Sequence, residues 1–171
     1  MDDARFDAAW SAHGPAVLRY CKFSTGSSQE GEDVAAETFV RFLAKGNHVA
    51  HEHTEAWLIR VARNLCANHH RDAKSRQLLQ SRLVDGLATE TETCARPDWW
   101  EYVRRLREKE RLVIYLRIAE DRSFYDVARI VGKSEGAVKM TFYRAIDRLR
   151  HEMQRADAGP NTTLEGGTDY V

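Results

Sequence analysis

The amino-acid sequence predicts an all-α fold, divided into two small helical domains that a flexible linker joins. Apolar residues recur at helical spacing along most of the chain, and no stretch alternates as a half-buried strand does. Only 3 prolines interrupt a chain rich in Ala, Leu, Arg and Glu. The polar, acidic stretch 84–97 separates the helical parts. We therefore expect domains at 1–83 and 98–155, a linker at 84–97 and a disordered tail at 156–171.

The first helix of the first domain is predicted at residues 3–23. Its apolar side chains recur at three- and four-residue intervals. Gly14–Pro15 interrupts the pattern. Because Pro removes a backbone donor, we expect a kink or two separate helices at this point.

The second helix, predicted at 29–45, has one apolar and one acidic face. The apolar face should be core and holds Ala35, Thr38, Phe39 and Phe42. The opposite face holds Asp33, Ala36, Glu37 and Val40. This second face is either a solvated surface or a docking surface for a basic partner helix, and the pattern alone does not choose between them.

A third helix is predicted to begin at Thr54, which can cap it after a loop at 46–53. Its buried stripe holds Trp57, Leu58, Val61, Ala62, Leu65 and Cys66. The other side carries Arg60, Arg63, Asn64, Arg71 and Lys74, with His70 nearby. Residues 57–82 have a net charge of +5. A cationic face beside Trp and His suits a nucleic-acid backbone and unstacked bases. The alternative is a solubilising basic face with the Trp in the core.

The second domain is predicted to begin with a helix capped by Asp98 and to end in a helix-turn-helix at Ser123–Met153. Ser123 starts the short helix, and Gly132 ends it in a left-handed conformation. Ser134 caps the longer helix, whose apolar side holds Val138, Phe142, Ala145, Ile146, Leu149 and Met153. The other side is basic, and residues 104–155 have a net charge of +6. This pattern is typical of a major-groove recognition helix, although a surface helix of a bundle remains the alternative.

The sequence does not indicate enzymatic or metal chemistry. His48, His51 and His53 lie in one loop, with His69 and His70 further along, but their spacing matches no standard zinc pattern. The chain has no Gly-rich phosphate loop and no plausible catalytic triad. We therefore predict no enzymatic activity, no metal and no cofactor.

Cysteine usage and hydropathy indicate a cytoplasmic protein. Cys21, Cys66 and Cys94 form no CxxC motif, which disfavours a disulfide framework and favours a reducing compartment. No apolar run is long enough for a membrane span, and no signal peptide is apparent. We predict no membrane insertion.

Three stretches of the chain carry a family resemblance: EDVAAETFVRFL, then AWLIRVARNLCANHHRDAKSR, then RLREKERLVIYLRIAEDRSFYDVARIVGKSEGAVKMTFYRAIDRLR. In this order and spacing they resemble the extracytoplasmic-function (ECF, group IV) sigma factors of bacterial RNA polymerase, over residues 5–153. The resemblance implies a sigma-2-like domain at 1–83 and a sigma-4-like domain at 98–155. It also implies a free monomer whose partners are polymerase core, promoter DNA and, commonly in the family, an anti-sigma factor.

The resemblance implies two tasks for the first domain. Its acidic helix would dock on the clamp helices of the polymerase β′ subunit, through Asp33, Glu37, Val40 and Arg41. The third helix would hold the melted non-template strand of the −10 element, with Asn64 at the family position that contacts a flipped base. The other −10 candidates are Trp57, Arg60, Arg63, His70, Arg71 and Lys74.

For the second domain, the resemblance implies contact with the β flap and reading of the −35 element as duplex DNA. The candidate residues are Ser134, Glu135, Gly136, Lys139, Thr141, Tyr143 and Arg144, with Arg148 as a phosphate contact. Thr141 stands where a basic residue is common in the family, which leaves the preferred −35 sequence open.

Two other functions compete with that of a sigma factor. An ordinary helix-turn-helix regulator would bind a palindromic site as a dimer without polymerase, but residues 29–74 would then lack a purpose. A protein-interaction module with a degenerate DNA surface would have no reason to keep Arg60, Arg63, Asn64, Lys139 and Arg144.

Overall fold

A computed structural model describes residues 2–83, 102–103 and 105–157, the side chains of 73–83 and 156–157 excepted. Within those ranges the regular structure is entirely helical, which confirms the predicted all-α fold. The principal helices are α1 (Asp3–Thr25), α2 (Ser28–Lys45), α3 (Thr54–Leu83), α4 (Glu108–Ile114), α5 (Phe124–Val131) and α6 (Glu135–Asp157). The predicted linker at 84–97 and residues 158–171 of the predicted tail lie outside the described residues.

Helix α1 is a single helix, so the alternative of two helices at Gly14–Pro15 is wrong. Pro15 lacks the N–H that would pair with the carbonyl of Ser11. Both residues are exposed, so water can satisfy that carbonyl and the helix continues. It ends at Gly26, which adopts a left-handed φ of 80°.

Helix α2 packs closely against α1. The Ser27 hydroxyl caps its start by accepting a hydrogen bond from the backbone N–H of Glu30 at 3.3 Å. The predicted core residues Ala35, Thr38, Phe39 and Phe42 are all buried. At Gly31 a Cβ atom would lie 2.7 Å from the backbone of Lys22, so only glycine permits this approach of the two helices.

The connection from α2 to α3 differs from the predicted loop. It contains two short 3₁₀ turns, Gly46–His48 and His51–His53. Thr54 does not cap α3, because its hydroxyl is directed back to the carbonyl of Ala50 at 3.5 Å and accepts no bond from the first turn of the helix. Helix α3 nevertheless begins at Thr54, directly after the second 3₁₀ turn.

Most of the helix predicted from Asp98 lies outside the described residues. Helix α4 is followed by one π-helical turn, Tyr115–Ala119, and by Asp121 with a positive φ of 46°.

The helix-turn-helix has the helix caps that the sequence predicts. Ser123 accepts from the N–H of Asp126 at 3.1 Å, and Gly132 has a φ of 71°.

One buried apolar cluster joins the N-terminal half (α1–α3) to the C-terminal half (α4–α6). It includes Tyr20 and Ile59 from the first half, and Tyr115, Ile130 and Val138 from the second. A smaller cluster of Val103, Leu106, Ile114 and Ala145 fixes α4 against α6. We call the contact of α1 and α3 with residues 108–132 the interhalf interface.

Candidate nucleic-acid interface

Four of the predicted −10 candidates share one side of α3, because Trp57, Arg60, Asn64 and Arg71 are spaced by three, four and seven residues. The last three are exposed, whereas Trp57 is half-buried with its ring 5.6 Å from that of Phe42. This side therefore presents two guanidinium groups and a carboxamide beside a half-buried indole ring. We call it the open face of α3.

Two further candidates, Arg63 and His70, lie on an adjoining side of α3. Arg63 Nε is 3.4 Å from Glu108 Oε1 across the interhalf interface, and its Nη2 donates to Asn64 Oδ1 at 3.1 Å. His70 Nε2 is 2.8 Å from the carbonyl oxygen of Ser24 in α1. Both side chains are thus engaged by other parts of the chain. The side chain of Lys74 lies outside the described residues.

The start of α6 has small or short side chains, as a helix entering a groove requires. Ser134 caps it by accepting from the N–H of Ala137 at 3.3 Å, and Gly136 has nothing within 4 Å of the position of a Cβ. Lys139 pairs with Glu135 at 2.6 Å, and Thr141 donates to the carbonyl of Ala137 at 2.8 Å. Backbone and cation are therefore both accessible at this end.

Further along α6, three candidates have different surroundings. Tyr143 is 57% exposed and stands beside the rings of Phe124 and Phe142. Arg144 is exposed on the same side. Arg148 instead donates to Glu110 of α4 at 2.9 Å, so it holds two helices of the C-terminal half together.

The acidic face of α2 is exposed, as predicted. Asp33 is exposed, and Glu37 pairs with Arg41 at 2.8 Å within the helix. Val40 is 59% exposed and Leu43 46%. Leu43 was not among the residues predicted for this face, although its position three residues after Val40 places it on the same side. The surface is therefore an apolar pair bordered by charges.

Charged contacts across the interhalf interface were not predicted. Arg19 donates to Glu120 through two nitrogens at 2.8 Å, and the hydroxyl of Tyr115 donates to the same carboxylate at 2.7 Å. The hydrogen bond from Arg19 lowers the pKa of Glu120. Arg122 Nη2 lies 2.6 Å from Glu55 Oε1. Each ion pair joins residues far apart in sequence, so no local pattern indicated them.

Three groups near this interface, the half-buried Glu108 and two buried cysteines, have shifted pKa values. Burial raises the pKa of Glu108, although Arg63 and three other cations lie near it. Cys21 and Cys66 are fully buried free thiols. The interaction between the two thiols raises the pKa of Cys21 and lowers that of Cys66. Cys94 lies outside the described residues.

No helix in the described ranges combines the length and apolarity that crossing a bilayer demands. In the same part of the chain, no group of three or more His, Cys, Asp or Glu side chains is arranged to hold a metal ion.

Two family models match the chain in succession. Sigma-70 region 2 matches residues 9–76, and sigma-70 region 4 matches residues 98–149. The first match contains most of α1, all of α2 and the open face of α3. The second contains α4, α5 and most of α6. Together they cover more than half of the chain.

Curated relatives and a solved structure agree with these matches. The ECF RNA polymerase sigma factor BldN of Streptomyces coelicolor is 29% identical over 154 residues, covering 84% of this chain but only 58% of BldN. The ECF RNA polymerase sigma factor SigL of Mycobacterium tuberculosis is 28% identical over 155 residues, covering 86% and 88%. The sigma factor RpoE of Bartonella quintana, solved in complex with the anti-sigma factor NepR, matches with a TM-score of 0.63 at 22% identity, covering 87% and 96%. The chain thus belongs to the sigma-70 family, in the group of ECF RNA polymerase sigma factors.

Proposed function

We propose that this chain is a dissociable specificity subunit of bacterial RNA polymerase, which directs initiation at promoters by recognising −35 and −10 elements. The observation that carries the proposal is the succession of region 2 and region 4 on one chain, each with its own exposed basic helix. In this proposal residues 1–83 bind core and open the −10 element. Residues 98–155 read the −35 element, and 84–97 joins the two parts.

The open face of α3 is the proposed site for the melted −10 strand. Extruding a base costs a few kcal/mol, which must come from contacts with the extruded nucleotide. Asn64 supplies amide donors for a base edge, and Arg60 and Arg71 supply charge for the strand. The half-buried ring of Trp57 supplies a stacking surface, and such stacking contributes roughly 1–3 kcal/mol per base.

The N-terminal part of α6 is the proposed reader of the −35 duplex. The lack of bulk at Gly136 lets the backbone approach a groove, and Lys139, Tyr143 and Arg144 project from the helix beyond it. The Arg148 guanidinium, fixed by Glu110, is a phosphate contact of constrained position. Each reader alone makes few contacts, and joining the two on polymerase raises their effective concentration at a promoter.

The acidic face of α2 is the proposed contact for the β′ clamp helices, through Asp33, Glu37, Val40 and Arg41. Its exposed Val40 and Leu43 offer apolar area, while the carboxylates favour a basic partner. The β flap is the proposed contact of the second domain. An anti-sigma factor is also proposed as a partner, since RpoE of Bartonella quintana was solved with one.

We further propose that the chain has no catalytic activity of its own and acts in the cytoplasm, where polymerase and the chromosome are found. The free chain is proposed to be a monomer. The catalytic chemistry of transcription then belongs to the polymerase core.

Run-off transcription with bacterial core polymerase on candidate promoters tests the proposal. We expect promoter-dependent transcripts only when the chain is added to core. Binding of a palindromic duplex by a dimer without core would instead support a stand-alone regulator. If the chain neither binds core nor initiates at any candidate promoter, the proposal fails.

A further inference from the structure

A methionine lies exposed on the side of α6 that is turned away from the core. Met140 is 53% exposed and lies roughly opposite the buried Val138 and Ala145, at about 100° per residue. It follows Gly136, which leaves the first turn of the helix open, by one turn. Met140 was not among the predicted −35 candidates. We call this side the reading side of α6; it carries Gly136, Met140, Tyr143 and Arg144.

Tyr143 extends Met140 into an apolar surface. It follows Met140 by three residues, and side chains three apart on a helix are neighbours. The exposed ring of Tyr143 lies 5.6 Å from that of Phe142 and 6.3 Å from that of Phe124. These aromatic contacts hold the tyrosine ring in place, whereas the unbranched thioether chain of Met140 can adapt to the group that it meets.

Cationic side chains flank this apolar pair. Lys139 directly precedes Met140 and pairs with Glu135 within the helix, and Arg144 lies one turn after Met140. Both cations are exposed. In the major groove, phosphates border the base edges, so cations at the margins of a surface and apolar area at its centre suit this groove. The charges therefore favour DNA as the group that covers Met140.

One feature of the base edges suits an apolar side chain. Base pairs present hydrogen-bond donors and acceptors in the major groove, and thymine adds its C5-methyl group. Because a thioether sulfur is only a weak acceptor, Met140 gains little from the polar groups. The neighbouring Thr141 is turned about 100° away, and its hydroxyl donates to the carbonyl of Ala137 at 2.8 Å. Met140 is therefore better placed than Thr141 to meet a methyl group.

We propose that Met140 is a specificity-determining residue of the −35 reader and recognises the C5-methyl group of a thymine in the major groove. This inference rests on the proposed function of α6 and adds a base that the helix prefers. The methyl group is enclosed between the thioether chain of Met140 and the ring of Tyr143. Its removal from water strengthens binding roughly fourfold, which corresponds to about 0.8 kcal/mol.

Deoxyuridine tests the proposal, because uracil differs from thymine only in lacking the C5-methyl group and keeps the same base pair. Holoenzyme of bacterial core polymerase and the full-length chain is bound to a promoter at which it initiates. Each thymine of the −35 element, on either strand, is replaced singly by deoxyuridine. For wild type, we expect one replacement to weaken binding roughly fourfold. For Met140→Ala, we expect equal binding of the thymine and deoxyuridine duplexes at that position.

Matched variants separate recognition of the methyl group from a general loss of affinity. Met140→Leu keeps an apolar side chain of similar size and should keep the preference for thymine over deoxyuridine. Arg144→Ala should weaken binding of both duplexes and leave the ratio between them unchanged. Met153→Ala alters a second exposed methionine of α6, about three and a half turns further along, and should behave as wild type.

The outcomes distinguish this inference from the proposed function. If the holoenzyme initiates but wild type binds every deoxyuridine duplex as tightly as the thymine duplex, the inference is overturned and the proposed function stands. The same holds if Met140→Ala keeps the wild-type ratio, or if the −35 element contains no A·T pair. If the chain forms no holoenzyme, the proposed function fails and the inference fails with it.

Discussion

At the scale of single residues, the neighbours Arg63 and Asn64 differ in their surroundings. Arg63 lies on the side of α3 that meets the C-terminal half, and Asn64 lies on the open face. The sequence placed both on one cationic face, because helical periodicity separates sides about 100° apart but does not show which side a distant element covers. The pairing with Glu108, more than forty residues away, carried no local signal.

We expect Asn64→Ala to impair promoter opening while leaving core binding unchanged, because the carboxamide is proposed to contact an extruded base. The loss should be about 1–3 kcal/mol in open-complex stability, measured by permanganate reactivity of unpaired thymines. Asn68→Ala, which removes an exposed carboxamide one turn along α3, is the control. Equal loss in both variants would contradict a specific role for Asn64.

Arg144→Ala should weaken −35 binding by roughly 1–3 kcal/mol if the side chain reads a base, without lowering thermal stability. Holoenzyme binding to promoters that differ only in the −35 element provides the measurement. Arg150→Ala, which alters an exposed arginine paired with Asp147, is the comparison. A loss of the same size on every −35 sequence would make Arg144 a phosphate contact instead.

The raised pKa of Glu108 predicts how the stability of the fold changes with pH. Since burial raises its folded-state pKa above the ordinary value of 4.5, the ionised carboxylate lowers stability at neutral pH. That loss is recovered as the pH falls through the raised pKa. As the pH falls from neutral towards 4.5, wild type should gain stability relative to Glu108→Gln, measured by urea unfolding. If the free energies of unfolding of the two proteins changed in parallel with pH, burial would not be raising the pKa of this carboxyl.

At the scale of elements, local chemistry predicted the helices well. The caps at Ser123 and Ser134, the left-handed Gly132 and the buried side of α2 all follow from residues within one or two turns of each other. The structure differs from the prediction where solvent exposure or tertiary contacts determine how far a helix continues or which side chains are buried. Helix α1 continues through Pro15 because the affected carbonyl belongs to an exposed residue, and Met153, predicted on the apolar side of α6, is 43% exposed.

Two glycines provide a matched test of helix packing. Gly31→Ala should lower the free energy of unfolding by roughly 1–3 kcal/mol, because its Cβ would meet the backbone of Lys22 at 2.7 Å. Gly136→Ala should raise the free energy of unfolding by about 0.5–1 kcal/mol, since no atom lies within 4 Å of the position that its Cβ would take. Thermal and urea unfolding measure both. If Gly31→Ala left the free energy of unfolding unchanged, α1 and α2 would be able to accommodate the added methyl group without strain.

At the scale of the whole molecule, the sequence predicted two helical parts and their resemblance to a family, but not how the parts meet. Hydrophobic periodicity identifies which side of a helix is buried, yet Tyr20 and Ile59 are buried in a cluster that spans both halves. The three interhalf ion pairs join residues 45 to 101 positions apart. Only the folded chain brings these residues together.

The shared apolar cluster also makes the chain sensitive to its physical conditions. Exposing apolar surface raises heat capacity, so the stabilisation that this cluster gives to the contact between the halves weakens on cooling. Dissolved salt screens the partly exposed ion pairs at the edge of that contact. Warm, dilute-salt conditions therefore strengthen the packing of one half against the other, whereas cold or saline conditions weaken it. The strength of this internal contact thus varies with both temperature and ionic strength.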